Sequence, residues 1–223
     1  MKRIPILRIL CLTMFTGGIL LIPSPSGSNT LSLDSILNQI EKKYDVNDFS
    51  ARFFQTSTLK AMEVQDTASG ILRVKRPDMM RWDYEKPDKQ IIVSDGTHLW
   101  IYRPEDNQVI VGRTPSFFGE GKGAGFLSDI KSVRKQFLIT LENQEGEKPY
   151  RLKLIPKHPT QDLSRVILVV SPYTFEVMAV ITYNMYDDET RIELTHYSYN
   201  LNLGDDIFRL KIPEGTDVIK MDQ

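Results

Sequence analysis

The 223-residue chain is poor in the residues that carry chemistry: one cysteine, three histidines and two tryptophans. Cys11 falls inside an apolar leader, and the triplet before it, Arg8-Ile9-Leu10, is not that of a lipid-attachment site. Once the leader is cut, no thiol is left for a disulfide or a structural zinc site, so stability must come from packing. His98, His158 and His196 are isolated, and none stands in an HExxH pattern or beside a carboxylate at ligand spacing. The glycine-rich "GEGKGAG" from Gly119 to Gly125 does not keep the order of a phosphate loop, because Ser116 takes the first-glycine position and Gly123 follows Lys122. No GxSxG elbow occurs, and Asp187-Asp188 reads as a polar hairpin tip. Excess positive charge is missing too. With 28 Lys and Arg against 29 Asp and Glu, the chain has no overall basic excess to neutralise phosphates, which argues against a nucleic-acid binder. No metal, cofactor or catalytic group is implied, and the reading is non-enzymatic.

The longest apolar run is also short. Ile9 to Ile22 covers 14 residues, fewer than the roughly 20 a membrane-spanning helix needs. Lys2, Arg3 and Arg8 precede it, and Ser26-Gly27-Ser28 follow. A cationic start, a short apolar centre and small residues at the end read as a cleavable secretory signal over residues 1–28. Its removal takes three cations and no acid, leaving 25 basic against 29 acidic side chains.

What remains, residues 29–223, reads as one domain. "SLDSILNQIEKKYDV" spaces Leu33, Ile36, Leu37 and Ile40 for one helical face, with Ser32 as N-cap, and predicts a helix of about four turns. From Phe49 the period changes to two. Eleven strands are expected, over 49–60, 68–76, 79–85, 89–94, 98–103, 108–113, 136–144, 150–155, 165–171, 176–185 and 190–200, with a further short piece at Ile207 to Ile212. Their short connections make the sheet antiparallel. Within "LRVKRPDMMRWDYEKP", alternation puts Leu72, Val74 and Arg76 on one side, and Met80, Trp82 and Tyr84 on one side of the next strand. The other sides are largely charged. A sheet this wide, curled around an apolar face, encloses a cavity unless something plugs it. Between residues 113 and 136, Phe126, Leu127, Ile130 and Val133 form a second amphipathic pattern on a glycine-rich tether, suited to a lid.

"FSARFFQ" (Phe49–Gln55) and "GILRVKRPDMMRWDYEKPDKQIIVSDGTHLWIYRPEDNQV" (Gly70–Val109) resemble the periplasmic lipoprotein carrier family, LolA, and the closing "FRLKIPEGTDVI" is similar to that family's C-terminal segment. The resemblance implies a mainly β fold: an unclosed antiparallel β-barrel of about eleven strands with an amphipathic helical lid over an apolar cavity. It implies a monomeric periplasmic carrier that takes triacylated lipoproteins from an inner-membrane lipoprotein-releasing ABC transporter and passes them to an outer-membrane lipoprotein receptor. The lipid-contacting residues it points to are Leu72, Val74, Met80, Trp82, Tyr84, Trp100, Phe126, Leu127 and Ile130. Arg76 matches the arginine of the K-R-P motif, which in the family holds the lid closed by hydrogen bonds to lid carbonyls. Met80 stands where members can carry an aromatic. The alternative is a LolA-like protein that senses or binds lipids or lipoproteins without transferring them.

Overall fold

The computed structural model describes residues 31–113, 130–143 and 148–221. Residues 1–30, which include the expected signal segment, lie outside the described residues, as do the glycine-rich loop, Phe126 and Leu127, and only the backbone of Ile130 is described.

The helix α1 spans Leu33–Lys43. Ser32 caps it, its Oγ accepting from the Ser35 N–H at 3.2 Å, while Asp34 in the first turn and Lys42 and Lys43 in the last complement the helix dipole. At 11 residues it makes about three turns rather than the four expected, because Tyr44 closes it by donating its N–H to the Ile40 carbonyl.

Twelve strands follow: β1 Asp48–Leu59, β2 Val64–Lys75, β3 Met79–Lys86, β4 Gln90–Asp95, β5 His98–Arg103, β6 Gln108–Arg113, β7 Phe137–Leu141, β8 Tyr150–Pro156, β9 Arg165–Val170, β10 Val177–Tyr183, β11 Glu189–Tyr199 and β12 Asp217–Lys220. The first eleven match the expected strands, to within a few residues at their ends. They form one sheet in the order β12-β6-β5-β4-β3-β2-β1-β11-β10-β9-β8-β7. Two antiparallel meanders, β1 to β6 and β7 to β11, are joined by the β1–β11 pairing. β7 and β12 end the series unpaired with each other, so the sheet does not close. Gly96, at φ +92°, supplies the left-handed residue of the tight β4–β5 hairpin.

The expected strand at Ile207 to Ile212 is not formed. Asp205–Phe208 make a 3-10 turn that lies on β3 and β4, with Phe208 fully buried. The Ile207 carbonyl accepts from Arg81 Nη1 at 2.9 Å, and the Leu203 carbonyl from Lys75 Nζ at 2.6 Å. The segment is thereby held to the charged face of the sheet, and strand pairing resumes only at β12, parallel to β6. Between β6 and β7, a 3-10 turn Ile130–Ser132 leads into the short helix α2, Val133–Gln136.

Candidate functional site

Register builds the site. Leu72 pairs with Trp82, Val74 with Met80, and Gly70 with Tyr84 across β2–β3; Ala51 pairs with Leu72, Phe49 with Val74, and Phe53 with Gly70 across β1–β2. Direct partners in an antiparallel pair share a face. The alternation expected for residues 72–84 is therefore the observed one, and Leu72, Val74, Met80 and Trp82 are all buried. Gly70 is required here: a Cβ would lie 2.0 Å from the Asp83 carbonyl oxygen and 2.9 Å from the Phe53 ring. The bare backbone lets Phe53 slot edge-on between Trp82 and Tyr84, at centroid separations of 4.9 and 4.8 Å. The Tyr84 hydroxyl donates to Gln55 Oε1 at 3.0 Å, and burial pushes the phenol up to about 12. The face continues across the other meander through Leu194, Val180, Leu168 and Leu152.

On the opposite face, Asp83 takes hydrogen bonds from both Arg73 and Arg81, a charged cluster that keeps β2 and β3 from being read the other way round. Across β2 and β3 the two faces thus differ in kind, one apolar and one ionic.

A plug occupies the curl of the sheet. Ile36, Leu37 and Ile40 of α1, with Tyr44 just past its end, are buried in the same cluster as the inner face. Tyr44 is held by a closed ring of hydrogen bonds: its hydroxyl donates to the Tyr197 hydroxyl at 3.0 Å and accepts from the Val177 N–H at 3.0 Å, while Tyr197 donates to the Val177 carbonyl at 2.8 Å. Burial drives both phenols far above their ordinary range. Beside them the Tyr199 hydroxyl donates to Glu176 Oε1, which also pairs with Lys43 at 3.0 Å. Neither this ring nor the Phe49–Tyr197–Tyr199 stack beside it is named by the motifs. Alternation in "FSARFF" and "THYSYN" places Phe49, Phe53, Tyr197 and Tyr199 on one face once β1 and β11 are known to pair.

Arg76 leaves β2 at the rim. Its guanidinium donates to the Tyr44 carbonyl and, at 3.0 Å, to Asp45 Oδ1. Among the described residues, its acceptors are thus the carbonyl of Tyr44, which closes α1, and the side chain of the residue after it. Asp45 then carries the link onward, accepting from Lys131 Nζ at 3.1 Å. Lys131, by hydrogen bond and charge, and then Arg76 hold the Asp45 carboxyl below the usual carboxylate range. One turn later Arg134 of α2 spans the polar stripe of α1, donating to Glu41, to Asp34 at 2.9 Å and to Asn38 at 2.7 Å. Asp34, Asn38, Glu41 and Asp45 recur every three or four residues, the polar counterpart of the buried stripe.

Trp100 corrects an expectation. It pairs with Val93, which pairs with Arg81, so it stands on the charged face, while Leu99 and Ile101 take the inner one. The phase of β5 is set by the Ser94–Leu99 pairing after the Gly96 turn, and one residue of phase moves a side chain across the sheet. Among the described residues no group of His, Cys, Asp and Glu is placed to hold a metal.

Comparison with known proteins bears on this arrangement. Residues 44–211 match the family model described as outer membrane lipoprotein carrier protein LolA. The outer-membrane lipoprotein carrier protein of Nitrosomonas europaea is 30% identical over 172 residues, covering 77% of this chain and 82% of the relative. That of Legionella pneumophila strain Corby is 30% identical over 188 residues, covering 84% and 88%. Among solved structures, an uncharacterized conserved protein from Thermus thermophilus superposes with a TM-score of 0.56 at 12% identity, over 86% of this chain and all of the other, a likeness of fold.

Proposed function

The chain belongs to the LolA family of outer-membrane lipoprotein carrier proteins, and from that premise we propose that it is a periplasmic carrier, exported by cleavage of residues 1–28 and working as one domain over 29–223. In this reading it binds the acyl chains of triacylated lipoproteins released by an inner-membrane ABC transporter and hands them to an outer-membrane receptor. The observation that carries the reading is the continuous apolar inner face of an unclosed sheet, covered by helical segments rather than by a second sheet.

The mechanism is competitive. Each buried methylene of an acyl chain is worth about 0.8 kcal/mol, so a chain of ordinary length repays the contacts it displaces. A carrier must also let go, and the closed state must therefore have contacts of its own. Leu72, Val74, Met80, Trp82 and Tyr84 supply the surface the chain would meet, and Met80 adapts to irregular shapes. By their spacing in the sequence, Phe126, Leu127 and Ile130 are assigned to the apolar side of a lid. Arg76 is the gate, through Tyr44 and through Asp45 to Lys131. Charge-assisted hydrogen bonds of this kind contribute about 1.5–3 kcal/mol each when shielded and less where solvent reaches them. Arg76→Leu is expected to favour retention of cargo; unchanged transfer to the receptor would count against the gate.

The test is to incubate the mature protein with spheroplasts making a triacylated lipoprotein and to assay the supernatant. A soluble one-to-one complex, absent with buffer alone, supports carriage. Complex formation without onward transfer to outer membranes would point to a lipid- or lipoprotein-binding role instead. No complex from folded protein would sink both.

A further inference from the structure

At the β7 end of the sheet, away from Leu72–Tyr84, a cleft of about 360 Å³ opens between α2, the start of β7 and the 157–163 loop. Its walls are built. Arg134 ties α2 to Asp34, Asn38 and Glu41. The loop is tied to α2 by the Lys157 N–H to the Gln136 carbonyl at 2.9 Å, and to the turn after β10 by the Met185 N–H to the Gln161 carbonyl at 3.0 Å.

Its chemistry is unspent. Lys135 and His158 line the cleft, both exposed, and neither has an ion-pair or hydrogen-bond partner among the described residues. No carboxylate stands among the described residues that line it. Thr160, which also lines it, carries the one buried side-chain oxygen without a partner among the described residues. A shut-in, unpaired hydroxyl is unfavourable and calls for a reason. Turning about χ1 towards the cleft would give it one, if an acceptor lay there. Phe137 and Leu163 also line the cleft, and both are buried in the inner apolar cluster. Two donors at the mouth, a hydroxyl lacking an acceptor, and an apolar floor describe a complement to one kind of molecule.

We propose that this cleft binds single-chain anionic amphiphiles, with the carboxylate or phosphate-monoester head between Lys135, His158 and Thr160, and the alkyl chain on Phe137 and Leu163. The site does not depend on the carrier reading, and either can fail alone.

The test uses the isotope-labelled mature chain at low ionic strength, where exposed cations are least screened. Octanoate, octyl phosphate and octylamine are titrated while amide shifts are followed. The anions are expected to move residues 135–137 and 157–163 and to bind at least about tenfold tighter than octylamine. Whichever anion binds tighter identifies the head group. Lys135→Gln with His158→Gln should erase the preference for anions. Thr160→Val replaces the unpaired hydroxyl with a methyl group, so the fold is kept at no loss of thermal midpoint, yet anion binding should weaken about tenfold, the effect of one charge-assisted hydrogen bond. Shifts confined to the Met80–Trp82 face, equal affinity for octylamine, or unchanged binding by folded Thr160→Val would each overturn the proposal.

Discussion

The helix α1 and the short segment 130–136 are attached to the molecule by burial and by charge in different proportions. α1 is held by burial: Ile36 and Ile40 are almost fully enclosed, and Tyr44 closes a buried hydrogen-bonded ring with Tyr197 and Val177. The segment buries one side chain, Val133, in the same apolar cluster and is otherwise held to α1 by polar contacts, through Arg134 to Asp34, Asn38 and Glu41 and through Lys131 to Asp45, where solvent reaches most of the partners. Burial is costly to undo and indifferent to salt. Exposed ion pairs contribute on the order of 0–1 kcal/mol each and are screened. On the proposed carrier reading, α1 would be the fixed plug and the segment 130–136 the part of the cover that releases. Arg76 touches the fixed part directly, at the Tyr44 carbonyl, and the releasable part only through Asp45.

Breaking the burial side should have the largest effect. Ile40→Ala removes a fully enclosed side chain from beneath the sheet and is expected to destabilise the protein by about 2–5 kcal/mol, read by denaturant unfolding. A loss under about 1 kcal/mol would mean that the plug is loosely seated. Tyr44→Phe keeps the packing but leaves the Val177 N–H without its acceptor, and should cost about 1–3 kcal/mol by the same measurement.

On the polar side the effects shrink and become local. Arg134→Ala should change global stability by about 1 kcal/mol or less while raising amide exchange across 130–136 selectively. A matching rise along α1 would break the distinction between the two. Smallest is the effect of pH. The Asp45 carboxyl is lowered by Lys131 and Arg76, so its contribution is present above the ordinary carboxylate value and is lost as pH falls through the lowered one. Exchange at 130–136 should therefore quicken, relative to Asp45→Asn, only as pH drops below about 4. A difference persisting unchanged through that range would remove Asp45 from the link.

Much of this fold was legible because its signals are local. Period-two alternation from Phe49 onward, short Gly and Asp turns, and the Ser32 cap followed by Ile36, Leu37 and Ile40 each specify structure within a few residues. Facing in β2–β3 was legible for the same reason: a wrong phase would put Arg73, Arg81 and Asp83 inside. β5 carries no such marker. Leu99, Trp100 and Ile101 are consecutive apolar residues, and only pairing with β4 decides which side each takes, so Trp100 was misplaced. The Tyr44–Tyr197–Val177 ring joins positions more than 130 residues apart, which no spacing rule reaches. Phe208 misled in another way: "IFRLKI" alternates like a strand, but Arg81 and Lys75 hold that backbone as a turn on the charged face.

The two tryptophans now serve as opposed reporters, Trp82 on the inner face and Trp100 on the outer. The most direct measurement is fluorescence quenching by a lipoprotein whose acyl chains are brominated, bound to Trp100→Phe and, separately, to Trp82→Phe. If the inner face takes the acyl chains, the protein retaining Trp82 is strongly quenched and the one retaining Trp100 is not. Equal quenching of the two, or quenching of Trp100 alone, would place the chains elsewhere and contradict the account.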